Sequence, residues 1–148
     1  MEQIDVLKDS KIGVFDLNNK GQELQKQWGE VFARELSKNQ KRQIHYGQFM
    51  WHVFSYELLP CKKGQRARDA FDLVSKDECY IFYQNNQNAL LIEKAASLKS
   101  NHIINEIDGY IHDVYVVDKD FSWTYILTHE ENCGPYFYRL AEEPFFFN

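Results

Sequence analysis

A chain of 148 residues with 44% hydrophobic side chains is long and apolar enough to bury one real core, which excludes a disordered segment. Its 11 Phe, 9 Tyr and 3 Trp make that core bulky and flat-sided, and rings of this size favour strands over helices. The net charge of −5 argues against a nucleic-acid partner. Phosphates call for a basic stripe, and the one basic run, Lys62, Lys63, Arg66 and Arg68, is short and reads as a solvated helix start.

In chain order, Ile12, Val14, Phe15 and Leu17 predict a short edge strand. Leu24, Trp28, Val31, Phe32 and Leu36 then fall on one face of a helix, with Asn19 and Gln22 as its expected capping box. Ser37 and Gln40 repeat the capping spacing, so a second short helix is predicted from 38 to 46, stopping at Gly47. Phe49 to Phe54 is apolar on both alternating faces apart from His52 and reads as a central strand, although a helical turn fits the same short run. Residues 59–64 read as a loop by their Pro60 and Gly64, and Ala67, Ala70, Phe71 and Val74 return to helix spacing.

From there strands dominate. Cys79 to Gln84 and Ala89 to Ile92 predict a hairpin across the polar connection 84–88. Residues 95–109 read as a short helical or irregular excursion. Asp113 to Val117 and Ser122 to Thr128 are the clearest strands, and Tyr136 to Leu140 is the last. Helices early and hairpin-linked strands late predict an α+β fold, with the N-terminal helices packed on one face of a mainly antiparallel sheet, as a single domain over 1–148. Trp28, Phe32, Trp51, Phe54, Phe82, Tyr115, Trp123 and Tyr125 are expected to share one core.

Cys61, Cys79 and Cys133 are odd in number and scattered, so no disulfide framework is expected. The N-terminal MEQIDVLKDSK has neither the basic start nor the apolar run of a signal peptide, and no stretch approaches the length of a membrane span. A cytoplasmic protein with reduced thiols is the expectation.

The segments Trp51-His52-Val53-Phe54-Ser55, Pro60-Cys61, Ala67-x-x-Ala70-Phe71, Phe121-Ser-Trp-Thr-Tyr-x-x-Thr-His-Glu130 and Gly134-Pro-Tyr-Phe137 resemble a small bacterial family, domain of unknown function 4275, typical of Bacillus and its relatives. The resemblance runs from about residue 20 to 140. It implies a single-domain cytoplasmic protein of this length, and it brings no catalytic residue or cofactor to carry over. A small acidic α+β chain with a strand-end Thr-His-Glu and a Gly-Pro turn is also similar in general character to immunity proteins of bacterial toxin systems, a likeness of fold rather than of motif.

The stretch FSWTYILTHEENCGPYFY holds the candidate site, because it sets ionisable groups at the end of an aromatic strand. His129, Glu130, Trp123 and Tyr136 are the candidate binding residues, at the mouth of a concavity between the strand end, the Gly134-Pro135 turn and an aromatic such as Tyr136. Strand alternation would put His129 on the face of Trp123 and Tyr125, with Glu130 opposite. The run His129-Glu130-Glu131-Asn132-Cys133 echoes a zinc-protease helix, but Cys133 replaces the second His and the segment follows a strand. His102, Glu106 and His112 are a weaker three-ligand set. Cys61, beside Lys62, Lys63 and Arg66, has the surroundings of a nucleophile but no oxyanion-hole motif after it. No metal and no cofactor are expected, and no phosphate-binding glycine motif occurs.

These features favour a non-enzymatic cytosolic binding module, immunity-like, whose acidic surface recognises a basic partner protein, with neither nucleic acid nor membrane as partner. The alternative is a small hydrolase-like enzyme using His129 and Glu130. The tail Phe145-Phe146-Phe147 either docks on its own domain or mediates homo-oligomerisation.

Overall fold

The least interrupted apolar runs of the sequence meet in the middle of one seven-stranded sheet. In this computed structural model, which describes residues 2–140, β3 (Cys79–Tyr83), β7 (Val114–Asp118) and β8 (Trp123–Leu127) lie centrally. On one side follow β4 (Asn86–Glu93) and the edge strand β1 (Gly13–Asp16); on the other, β9 (Tyr136–Arg139) and the two-residue edge strand β2 (Lys62–Lys63). Every pairing is antiparallel. The architecture is α+β with a mainly antiparallel sheet.

The helices do not share one face, which corrects the one-sided packing expected. Val114 to Val117 and Trp123 to Ile126 are buried at every position, so both faces of these strands must be covered. One face carries α1 (Gln3–Asp9) and α5 (Gln65–Leu73), whose Leu7, Ala67 and Phe71 pack on Ile81, Val116, Trp123 and Tyr125. The other carries α2 (Gly21–Phe32) and α4 (His52–Ser55), whose Trp28, Phe32 and Phe54 pack on Phe82, Tyr115 and Ile126. All eight aromatic side chains assigned to one core are buried, but Trp123 and Tyr125 belong to the first layer and the other six to the second.

Local chemistry explains the remaining differences. Phe49 to Phe54 is a turn leading into α4 rather than a strand, since Trp51, Val53 and Phe54 all enter the second layer. The helix α2 begins at Gly21, with Lys20 as its uncapped N-cap and Asn19 left-handed at φ 64°, so the expected Asn19 box does not form. Only glycine fits at position 21: a Cβ there would lie 2.6 Å from the Asn86 carbonyl oxygen. The Ser37–Gln40 box does form and starts α3 (Lys38–Gln43). Residues 95–109 contain two 3₁₀ turns and β5 (Glu106–Ile107), which pairs with β6 (Tyr110–Ile111) across Asp108-Gly109, both at positive φ. The helix α1 had no counterpart in the sequence reading, and the aromatic tail 145–147 lies outside the described residues.

Candidate functional site

The strand β8 ends at Leu127, one residue before the Thr-His-Glu sequence, and this ending decides where His129 points. Thr128 turns the chain: its hydroxyl sits between the carbonyls of Glu130, at 2.9 Å, and Cys133, closing the loop on itself. Gly134, at φ 93°, and Pro135 then lead into β9. With alternation broken, His129 faces the second layer, not that of Trp123 and Tyr125. Its ring centroid lies 4.9 Å from Phe49 and 6.0 Å from Trp51.

Asp113, immediately before β7, holds His129 in place. Its Oδ1 accepts the backbone N–H of His129 at 2.7 Å and lies 2.9 Å from the ring Nδ1. With 4% of the Asp113 side chain exposed, this carboxylate has exchanged water for the histidine, and the pairing sets Nδ1 as the donor nitrogen. On the other side of the ring, Nε2 is 3.4 Å from Glu130 Oε1, and Cys133 Sγ donates to Glu130 Oε2 at 3.4 Å. The His129 side chain is 29% exposed, open enough to meet a ligand.

Around this pair lies a cleft of about 410 Å³, lined by Arg68, Asn105, Ile111, Leu127, Thr128, His129, Glu130, Glu131, Cys133 and the Gly134-Pro135 turn. Of the four residues singled out in the sequence, His129 and Glu130 meet here. Trp123 does not: it is buried in the first layer against Phe71 and Phe137, at the start of β8 rather than its end. Tyr136 is buried in the second layer, its ring stacked 6.1 Å from Trp51, and the expected aromatic wall of the concavity is absent from the lining. Arg68, Asn105 and Asp113 were not foreseen. Asp113 left a signal, as a carboxylate abutting a fully apolar run, whereas Arg68 was hidden inside a basic run read as solvated.

The thiols are poorly suited to nucleophilic work. Burial pushes Cys61 up to about 11, outweighing the opposing charge of Lys63, and Cys79 up to about 12. Cys133 is raised by burial and by Glu130. A thiol held protonated attacks slowly. His102 is bound instead to the Lys99 backbone N–H at 3.0 Å. Among the described residues no group of three His, Cys, Asp or Glu side chains is placed to hold a metal ion, and no helix is long and apolar enough to cross a membrane.

The family described as Domain of unknown function (DUF4275) matches residues 1–137, so α1, the strands β1 to β8, the first half of β9 and the His129 cleft lie within it. The chain belongs to this family. No curated protein and no solved structure matches it.

Proposed function

We propose that the chain is a non-enzymatic cytosolic binding module of bacterial, immunity-like character, which recognises a basic partner protein through the His129 cleft and its rim. The observation carrying this reading is the company the cleft keeps. Glu130 and Glu131 give it an acidic wall, while Tyr110 and Ile111, exposed to 73% and 58% on the β5–β6 hairpin, stand beside it. Exposed aromatic and aliphatic anchors beside complementary charge are the ingredients of a protein-binding hot spot. The Asp113–His129 pair supports this role as a preorganised anchor, its ring already fixed before any partner arrives.

A second reading, a small hydrolase-like enzyme, rests on the same Asp113–His129 pairing, which resembles the orienting half of a catalytic triad. Among the described residues no activated nucleophile faces the ring: Nε2 stands 3.4 Å from the Glu130 carboxylate, and Cys133 is held as the thiol.

Affinity capture from the native host, followed by binding measurements on the recovered protein, tests the proposal. Glu130→Lys with Glu131→Lys should weaken association at least tenfold and flatten its ionic-strength dependence, with little change in thermal stability. Undiminished association in that variant would exclude the acidic rim as the recognition surface. His129→Ala that removes function while preserving stability would mark His129 as a site residue; a large stability loss would mark it as structural.

A further inference from the structure

A second groove, of about 630 Å³, opens on the side of the molecule carrying α2 and is lined by α2, α3, the turn at 46–50 and the β3–β4 connection. We propose that it is an anion site that takes the phosphate group of a small phosphomonoester. Three cations, Lys26, Arg34 and Lys41, line it against a single carboxylate, Glu30, in a chain whose net charge is −5. Among the described residues Arg34 has a single ion pair, a long and exposed one with Glu35 at 3.7 Å, which leaves its guanidinium available.

The floor of the groove carries an independent sign of a ligand. Gln84 is 91% buried, and its Oε1 accepts both the Met50 backbone N–H, at 3.0 Å, and the Tyr115 hydroxyl, which in turn accepts the Trp51 N–H at 3.2 Å. Two donors on one oxygen fix the orientation of the amide, since a flipped group would set NH₂ against the Met50 N–H. The Nε2 amide therefore points away from this network, with no acceptor among the described residues. It is not sealed off: among the described residues the one fully buried side-chain nitrogen or oxygen without a partner is Trp51 Nε1, so the Gln84 amide remains open to solvent. Gln84 lines the groove, so its two N–H donors are offered to whatever enters it.

The neighbouring phenol points to the same chemistry. Tyr46 lines the groove and is pushed up to about 12 by burial, so it remains a neutral donor at physiological pH. Lys41 lies over its ring, 5.1 Å from the centroid. The phenol is set close against α2, where a Cβ on Gly29 would lie 2.7 Å from its oxygen. An amide, a phenol and three cations are too many donors for one carboxylate ligand, but they suit the three terminal oxygens of a dianionic phosphate. The groove is also large enough for a small organic body beyond that group.

Titration of the full chain with inorganic phosphate and with glycerol 3-phosphate, followed by amide NMR and calorimetry, tests this. Both should bind saturably and shift the Gln84 side-chain amide, glycerol 3-phosphate more tightly; glycerol and acetate should not. Arg34→Gln with Lys41→Gln should weaken phosphate binding at least tenfold. Lys8→Gln with Lys62→Gln, removing the same charge elsewhere, should leave it unchanged. Gln84→Glu keeps an acceptor for Met50 and Tyr115 while replacing the free donor, and should abolish binding. The proposal fails if phosphate does not bind saturably, if Arg34→Gln with Lys41→Gln binds as well as the parent, or if acetate binds as tightly as phosphate.

Discussion

The two faces of the sheet are built from different materials. The face under α1 and α5 is closed mainly by hydrocarbon and ring packing: Phe71 stacks 4.5 Å from Tyr125 and meets Trp123 edge-on at 5.6 Å. At its margin, buried Gln3 bonds the His102 carbonyl and the Ile104 N–H. The face under α2 and α4 is as well buried but threaded with polar contacts. Trp28 Nε1 donates to Thr124 Oγ1 at 3.0 Å, that hydroxyl donates to the Val116 carbonyl at 3.2 Å, and Tyr115 links Trp51 to Gln84. His129 packs against this second layer, and Gln84 reaches the anion groove from it. The second face spends part of its packing on holding polar groups at set positions; the anion groove opens from it, and the His129 cleft lies at its border with the first face, where Arg68 of α5 and Leu127 line it.

The sharpest way to break this comparison is Phe71→Ala. It removes a fully buried ring from the first layer and should cost about 3–5 kcal/mol in urea unfolding. A loss below about 2 kcal/mol would mean that the layer collapses easily and is not the rigid half. On the second face, Thr124→Val preserves shape but leaves the Trp28 N–H without its acceptor, and about 1–3 kcal/mol should be lost. A neutral result would show the polar threads to be dispensable. Tyr115→Phe should cost as much, about 1–3 kcal/mol, because the buried Trp51 backbone N–H loses its acceptor even though Gln84 keeps the Met50 N–H, and the Gln84 side-chain amide resonances should broaden.

Thiol reactivity sharpens the same contrast without mutation. Cys79 belongs to the first layer and is held protonated by burial, so a disulfide reagent at neutral pH should reach it only through unfolding. Rapid modification of Cys79 in the native protein would show that face to open locally.

The smallest effect lies at Asp118, where β7 enters the β7–β8 turn. Burial and the neighbouring Asp120 raise Asp118 from the ordinary carboxylate range to about 6. A carboxyl whose folded pKa is raised binds its proton more tightly in the native state, so stability should decline slightly as pH rises from about 4 through about 6. Asp120 is shifted downward and works against this below pH 4. Asp118→Asn should flatten the slope, and an unchanged slope would assign it to other groups. Above pH 10 stability should fall again, because buried Tyr115 keeps its proton in the folded state while the unfolded chain releases it.

Much of this organisation was legible in local pattern. The face of α2, the Ser37–Gln40 start of α3, the β3–β4 hairpin and the strands β7, β8 and β9 follow from periodicity, caps and turn chemistry, which act over a few residues. The Asp108-Gly109 hairpin is equally local in origin, since that dipeptide favours two successive positive φ angles. The continuous burial of Val114 to Val117 also implied cover on both faces.

What only the tertiary structure decided concerns residues far apart in the chain. His129 faces Trp51 because β8 stops at Leu127 and Asp113 holds both its backbone N–H and its ring Nδ1, a choice that alternation along one strand cannot contain. Gln84 faces the groove with a free amide because Met50 and Tyr115, 34 and 31 residues away, occupy its oxygen. Phe49 to Phe54 was apolar enough for a strand or a helical turn, and the cover needed over Tyr115 and Tyr136 selected the turn. Short-range preference specifies which elements form; the face each one covers, and the polar groups left to meet a ligand, follow from pairings that exist only once the sheet has assembled.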